Sequence, residues 1–403
     1  MSSTAKPVTN SSTALSQSFR DIVSELGSIY LERREVIEAF VITMLARQHG
    51  FVLGPPGTAK SDMLRALCDR VIGAEFWQIL MDRQLGKEES FGPIDIPEFE
   101  KNGHWTRNIT GTFATAHIAF IDEVGKAGPA SLNPYLTIMN ERLFKANGSF
   151  LPVPLISAFG ASNELLEAEL AAMWDRFLVR LNVDYIQEPG NFASLLDSAV
   201  TPRGPQVATT VSLADLQDVI VNHVPIVTLP PGIVDSILQL RADLRSETVT
   251  PSDRRWKQSV RLLQASAWLN GRSAVDDDDL AILRHVLWDV VEEIPMVEKK
   301  VLSLTSPMTK IALELAGMIE DIDANISSRK GQSVEIRAQY GGEAQHKVGV
   351  ITKKLNDQIE KAHQQGRSTA KLEQVRDQLR AAKVRIFVEC MNVPADRAAA
   401  MST

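Results

Sequence analysis

The run Gly54-Pro55-Pro56-Gly57-Thr58-Ala59-Lys60-Ser61 follows the short apolar segment Phe51-Val52-Leu53 and opens a stretch of helical spacing. A loop of this make-up between a strand and a helix turns backbone N–H groups and the helix N-terminus toward an anion, which suits phosphate. Lys60 would then set a positive charge beside β- and γ-phosphates, and Ser61 would offer a hydroxyl to Mg2+. The run departs from G-x-x-x-x-G-K-[ST] at one place, Ala59, where the last glycine is usual. A methyl there is tolerable only at φ below zero and with no ligand crowding it. Without a ligand, the same residues would form a plain strand-to-helix turn.

Sixty-two residues beyond Lys60, the apolar run Ile118-Ala119-Phe120-Ile121 delivers Asp122 and Glu123. Ligands of open α/β sheets bind at the C-terminal ends of strands, so both carboxylates are placed for chemistry on a phosphate ester. Asp122 would hold Mg2+ through its water shell, and Glu123 would polarise a water for in-line attack on the γ-phosphate. An Asp-Glu pair alone is usually a solvated strand end; beside a phosphate loop it points to hydrolysis. Asn163, in Ser162-Asn163-Glu164, would present its amide from a neighbouring strand tip to the γ-phosphate or the water, or else close an Asx turn. Arg176 and Arg180, in Trp174-Asp175-Arg176-Phe177-Leu178-Val179-Arg180, would serve a neighbour's γ-phosphate in trans or make a surface salt bridge.

The elements that must hold these residues follow from apolar spacing. Strand-length apolar runs lie at residues 51–53, 76–80, 117–121, 155–161 and 178–183, alternating with helical patterns. That order predicts an α/β core: a five-stranded parallel sheet covered on both faces. Residues 84–115, with Phe91-Gly92-Pro93, Ile96-Pro97 and Gly103, predict an inserted loop or hairpin, and Asn147-Gly148 predicts a second, small hairpin. Ahead of the core, Ser16 is a candidate cap for a first helix, and a second helix is expected to stop at His49-Gly50. The expected domains are a mobile tail at 1–15, the nucleotide core at 16–190, a Pro/Gly-rich linker at 191–210, an all-α domain at 211–304 and a C-terminal helical, coiled-coil-like arm at 305–403. In the arm, Leu372, Val375, Leu379, Ala382 and Ile386 keep alternating spacings of three and four. Gly331 to Gln345 is expected to separate its first two helices, and Gly366 to turn between the second and third. Asp276 to Asp279 reads as acidic residues at a helix N-terminus, with a metal site the lesser alternative.

Composition bounds the rest. At 403 residues with 44% apolar and 23% charged residues, the chain is a folded protein of more than one domain and not a collagenous, disordered or disulfide-scaffold one. Cys68 and Cys390 are too far apart for a metal knuckle, and a reducing cytoplasm is the expected location. No window is apolar enough for a membrane helix. The net charge of −7 gives no general attraction to nucleic acid, and the arm's 15 Lys+Arg against 12 Asp+Glu is too small a surplus to propose one.

Together, Gly54 to Ser61, Ile118 to Glu123 with Lys126 to Ala130, Asn140-Glu141-Arg142, Ala161 to Glu164 and Asp175-Arg176-Phe177 resemble the MoxR family of AAA+ ATPases, most closely its RavA-type branch, where alanine before the lysine is usual. Ser252 to Trp256 resembles the sensor 2 helix of that family's lid. The resemblance implies an AAA+ P-loop core followed by an all-α lid, with ATP and Mg2+ bound at the subunit boundaries of a ring, usually a hexamer. It implies Asn163 as sensor 1, Arg176 as a finger acting in trans with Arg180 as second choice, and Arg254 as sensor 2 with Arg255 as second choice. It further implies chaperone-like remodelling of a protein client, often with a von Willebrand factor A domain partner. RavA-like proteins carry an inserted domain among their C-terminal helices for which this chain has no room. A nucleotide-dependent assembly scaffold with slow hydrolysis is the second reading, and nucleic-acid remodelling the third.

Overall fold

The computed structural model describes residues 10–83, 86–103, 105–146, 149–200, 209–305, 307–328, 333–364, 370–394, 397–398 and 401. The chain forms two compact units, Met1–Tyr185 with Pro205–Val301, and Ile186–Gly204 with Leu302–Thr403. The first is built on five parallel strands: β1 (Gly50–Leu53), β2 (Phe76–Leu80), β3 (Ile118–Asp122), β4 (Ser157–Ser162) and β5 (Val179–Asn182). Their spatial order is β2-β3-β4-β1-β5, so the strand that feeds the phosphate loop is flanked by β4 and β5. Each strand falls within two residues of its apolar run. β1 and β4 are buried throughout, as strands covered on both faces must be.

Both insertions form, one of them differently from expectation. Residues 84–115 hold two short helices, Lys87–Phe91 and Ile96–Asn102, and a single antiparallel bridge, Ile94 to Arg107. Asp95 accepts from the Glu98 N–H and Gly103 closes the turn at φ 69, so local caps convert the expected hairpin into helix. The second insertion is a hairpin of Leu143–Ala146 with Ser149–Pro152, Ala146 facing Ser149; Asn147-Gly148 lie outside the described residues.

Three expectations at the N-terminal side need correction. A helix runs over Asn10–Ile29, so the tail expected at 1–15 is helical from residue 10, and residues 1–9 lie outside the described residues. Ser16 bonds Thr13 O inside this helix and is not its cap. The helix is tied down by contacts far away in sequence: Trp268 Nε1 donates to Ser12 Oγ at 2.9 Å, and Arg20 donates to Leu269 O. The next helix, Arg34–Leu45, stops before His49-Gly50, because His49 is drawn into the base of the sheet.

The lid comprises the helices Leu213–Asp218, Pro231–Ser246, Asp253–Leu269 and Ile294–Leu304 and a 3-10 segment, Asp277–His285. It is not wholly α from residue 211: Val211–Ser212 pairs in parallel with Val71–Ile72. The acidic run caps the 3-10 segment. Asp276 accepts from the Asp278 N–H, while buried Asp279 takes the Asp276 N–H, Ser266 Oγ and Arg272. Among the described residues no group of three or more His, Cys, Asp or Glu could hold a metal ion.

The second unit contains the helices Pro189–Val200, Pro307–Ser328, Val334–Gln364 and Ala370–Arg385, the last closed by a π-turn at Ile386–Cys390. The linker expected at 191–210 is therefore helical to Val200, and residues 201–208 lie outside the described residues. Leu372, Val375, Leu379, Ala382 and Ile386 are all buried against Leu315, Ile322, Val348, Ile351 and Leu355. The separator expected at 331–345 is helix from Val334, since Tyr340 and Ala344 extend the buried stripe at i, i+4. Gly341 belongs there because a Cβ would stand 3.0 Å from that of Cys390. Gly366 lies outside the described residues. No helix among the described residues is long and apolar enough to cross a membrane.

Candidate functional site

β1 ends at Leu53 and the helix Lys60–Cys68 begins seven residues later, with the loop between them at the C-terminal edge of the sheet. Gly54 is required by close approach, since a Cβ on it would lie 2.1 Å from Val183 O. Thr58 Oγ1 donates to Pro55 O at 3.0 Å, which rounds the loop. Lys60 Nζ donates to Gly54 O at 2.6 Å and Pro55 O at 2.9 Å, and lies 3.4 Å from Asn163 Oδ1. Burial lowers the Lys60 pKa while the charges of Asp122 and Glu123 oppose that fall.

Ala59 does not meet the condition set by the sequence. It lies at φ 60, ψ 27, in the left-handed region, at a steric cost of about 1–2 kcal/mol for a residue with a Cβ. Glu123 is also left-handed, at φ 54, ψ 42. Its Oε1 accepts from Asn163 Nδ2 at 3.0 Å, and Lys126 Nζ stands 3.6 Å from Oε2. Asp122 Oδ1 accepts from the Glu123 N–H at 3.0 Å, and burial pushes its carboxyl pKa up. Two strained backbones side by side are the kind of feature that fold stability alone does not select.

The structure thus brings Lys60, Asp122, Glu123 and Asn163 to one edge, with Ser61 in the first turn of the helix. Ser61 and Asp122 supply oxygen donors, the type Mg2+ takes.

Arg176 and Arg254 are not at that edge. Val179 of β5 pairs with Gly50, and Asn182 with Leu53, so Arg176 precedes the N-terminal end of β5 while the loop follows the C-terminal end of β1. At about 3.3 Å per residue the four-residue pairing separates the two edges by roughly 10 Å or more. Arg254 Nη1 donates to Asp175 Oδ2 at 3.3 Å and Nη2 to Asn140 Oδ1 at 2.7 Å, and Arg176 Nη1 is 3.6 Å from Asp175 Oδ2. The two arginines therefore form one group around Asp175.

Burial separates the paired alternatives. Arg180 is fully buried: it donates to Trp288 O at 2.5 Å and Asp289 Oδ1 at 2.6 Å, and its guanidinium lies 4.1 Å from the centre of the Trp174 ring. Arg255, also buried, makes bonds of 2.9 and 3.1 Å to Asp289. Both are struts. Arg254 keeps 43% of its side chain exposed.

Sequence reasoning missed Asp289 and a buried bracket at the same end of the sheet, and it quoted Asn140 and Arg142 only as part of the resemblance, without a role. His49 Nδ1 accepts from the Ala158 N–H, and its Nε2 faces Met139 O at 2.9 Å and Arg142 Nη1 at 2.8 Å. Arg142, left-handed at φ 56, also donates to Arg47 O and Ile156 O. Burial first, then the charge of Arg142, holds the His49 pKa well below its ordinary value. Asp289 takes Trp174 Nε1 as well as Arg180 and Arg255. Burial pushes its carboxyl up, but the bonds and charges of Arg255 and Arg180 outweigh that and hold it at about 2. No spacing or motif around Asp289 signals this role.

A family model described as the MoxR domain in the MoxR-vWA-beta-propeller ternary systems matches residues 17–219, and one described as an AAA lid domain matches residues 232–301. An uncharacterized protein of Methanocaldococcus jannaschii is 38% identical over 306 residues, 75% of this chain and 78% of its own. Chaperone MoxR1 of Mycobacterium tuberculosis is 24% identical over 207 residues, 50% of this chain and 54% of its own. A crystal structure from Cytophaga hutchinsonii with an ATPase designation matches at TM-score 0.60 and 17% identity, over 73% of this chain and 96% of that one, a likeness of fold.

Proposed function

We propose, from the premise that this chain belongs to the MoxR family of AAA+ ATPases, that it hydrolyses ATP to ADP and phosphate at the boundaries of a ring of its own copies. The observation that carries this reading is the division of the cations: Lys60 stands at the loop, while Arg176 and Arg254 stand together beyond the opposite end of β1 and β5. Arginines so placed cannot attend their own loop's nucleotide and are free to face that of a neighbour.

At its own loop, Lys60 exchanges the carbonyls of Gly54 and Pro55 for phosphate oxygens, which are stronger acceptors for an ammonium. Glu123 takes the proton of the attacking water, and Asn163, already bonded to Glu123, orients that carboxylate and reaches the γ-phosphate. Ser61 and Asp122 would hold Mg2+, which when bound would neutralise phosphate charge. Arg176 and Arg254 of the adjoining copy complete the site.

A hexamer is the proposed ring. Its work is chaperone-like remodelling of a protein client, and a von Willebrand factor A domain protein is the proposed partner, supported by the systems the matched family model describes and by the likeness to a MoxR chaperone. The nearness to RavA-type members is carried by Ala59 in the phosphate loop.

Two substitutions test the core of this reading. Lys60→Ala should weaken ATP binding by about a hundredfold in calorimetry. Glu123→Gln should bind ATP as the parent does and lose turnover by on the order of 100-fold or more. Parental turnover in the Glu123→Gln protein would remove the base from the mechanism.

A further inference from the structure

Asp289 lies on the lid side of the chain, 113 residues after Arg176, and touches neither the loop nor the acidic pair. Its carboxylate nevertheless gathers donors from both elements that carry Arg176, which is partly buried, and Arg254, which is exposed. From the segment around Arg176 come Trp174 Nε1 at 3.2 Å and Arg180 Nη1 at 2.6 Å. Arg180 in turn donates to Phe177 O and Trp174 O, so the residues on either side of Asp175-Arg176 are pinned through it. From the lid helix Asp253–Leu269 comes the two-pronged grip of Arg255, the residue next to Arg254. Asp289 is itself fixed, its N–H donating to Glu293 Oε2 at 2.7 Å.

We propose that Asp289 is a positioning residue: by clamping Arg255 and the Trp174–Arg180 flanks, it fixes the spacing at which Arg176 and Arg254 are presented to the nucleotide of an adjoining copy. The clamp is needed because Arg176 and Arg254 meet at Asp175 through long contacts of 3.6 and 3.3 Å, whereas Arg180 and Arg255, both buried, close on Asp289 at 2.6 and 2.9 Å. Two buried arginines closed on one half-exposed carboxylate fix the backbones beneath them, and fixed backbones leave a long side chain less freedom to lose when it meets phosphate. The inference rests on the reading that these arginines act in trans.

The test is Asp289→Asn in the full chain, a change that keeps shape and removes the charge. A fluorescent ATP analogue should bind within about twofold of the parent, because the loop is untouched, while turnover of the ATP-saturated assembly should fall by about 10- to 100-fold in kcat with little change in KM. Mixing with Lys60→Ala subunits should restore turnover, because their intact arginines serve the intact loops of the Asp289→Asn copies. Asp289→Glu, which returns the charge, should recover part of the loss. A role in stability alone would lower the melting temperature yet leave kcat per folded subunit unchanged, and would show no rescue on mixing; that result overturns the proposal. If the parent hydrolyses ATP, Arg176→Ala does not and Asp289→Asn does at the parental rate, this inference fails alone. If Arg176→Ala also turns over normally, the trans reading fails with it.

Discussion

The two ends of the sheet are built by different means. At the C-terminal end, one contiguous octapeptide and the tips of β3 and β4 supply the candidate residues, which reach one another directly: Lys60 to Asn163, Asn163 to Glu123. At the N-terminal end, Asn140, the adjacent pair Asp175-Arg176, and Arg254 come from three separate segments and are held by two brackets, His49 with Arg142 and Asp289 with the buried Arg180 and Arg255. The first end is the proposed nucleotide site, and its candidate residues are bonded to one another within it. The second, on the reading proposed above, presents Arg176 and Arg254 to an adjoining copy, the first partly buried and the second exposed.

The sharpest way to break this comparison is to remove one tip. Arg176→Ala should bind ATP as the parent does and lose turnover in the assembled protein by about a thousandfold, with recovery on mixing with Lys60→Ala subunits. Arg254→Ala should behave alike; if it instead weakens ATP binding by the unassembled chain, the lid arginine serves its own loop and the two ends are not divided as described.

A smaller effect tests the bracket beneath. His49 is neutral and fully buried, with Arg142, Arg254 and Arg47 all disfavouring its cation. Its folded pKa is depressed below the ordinary value of about 6.5, so the unfolded chain binds the extra proton first as pH falls. Stability from this group is complete above about pH 6.5 and is lost at up to about 1.4 kcal/mol per pH unit as pH drops toward the folded value. Denaturant melts from pH 7 to 5 should show that slope, and His49→Gln should flatten it; an unchanged slope would remove His49 as its source.

The smallest effect belongs to the other end. Ala59→Gly relieves a left-handed alanine, and after the extra freedom of the unfolded glycine it should stabilise the protein by about 0.5–1 kcal/mol. A destabilised variant would mean that Ala59 is not strained in the folded protein.

Where structure is dictated by neighbours in sequence, it was legible. The five strands, the small hairpin and the apolar stripes of the terminal helices follow from periodicity, because burial on one or two faces imposes it. The errors came where local signals competed. Pro189-Gly190 reads as a break yet opens a helix, proline being well suited to a first turn. Residues 10–15 read as a polar tail yet are helical, because Trp268 and Arg20 tie that helix down from within the folded unit.

By itself the sequence determined the phosphate loop, the acid pair, the strand that delivers each and the family to which they belong, since all depend on short-range geometry that eight or ten consecutive residues specify. Only the family resemblance ranked Arg176 before Arg180 and Arg254 before Arg255; the residues themselves left both pairs open. An arginine's role turns on whether its charge is buried against a partner or left exposed, and here the deciding partner, Asp289, is brought in from more than thirty residues beyond the later pair and more than a hundred beyond the earlier one. Only the packing of lid against core shows which arginine of each pair is buried, Arg180 and Arg255, and which is less so.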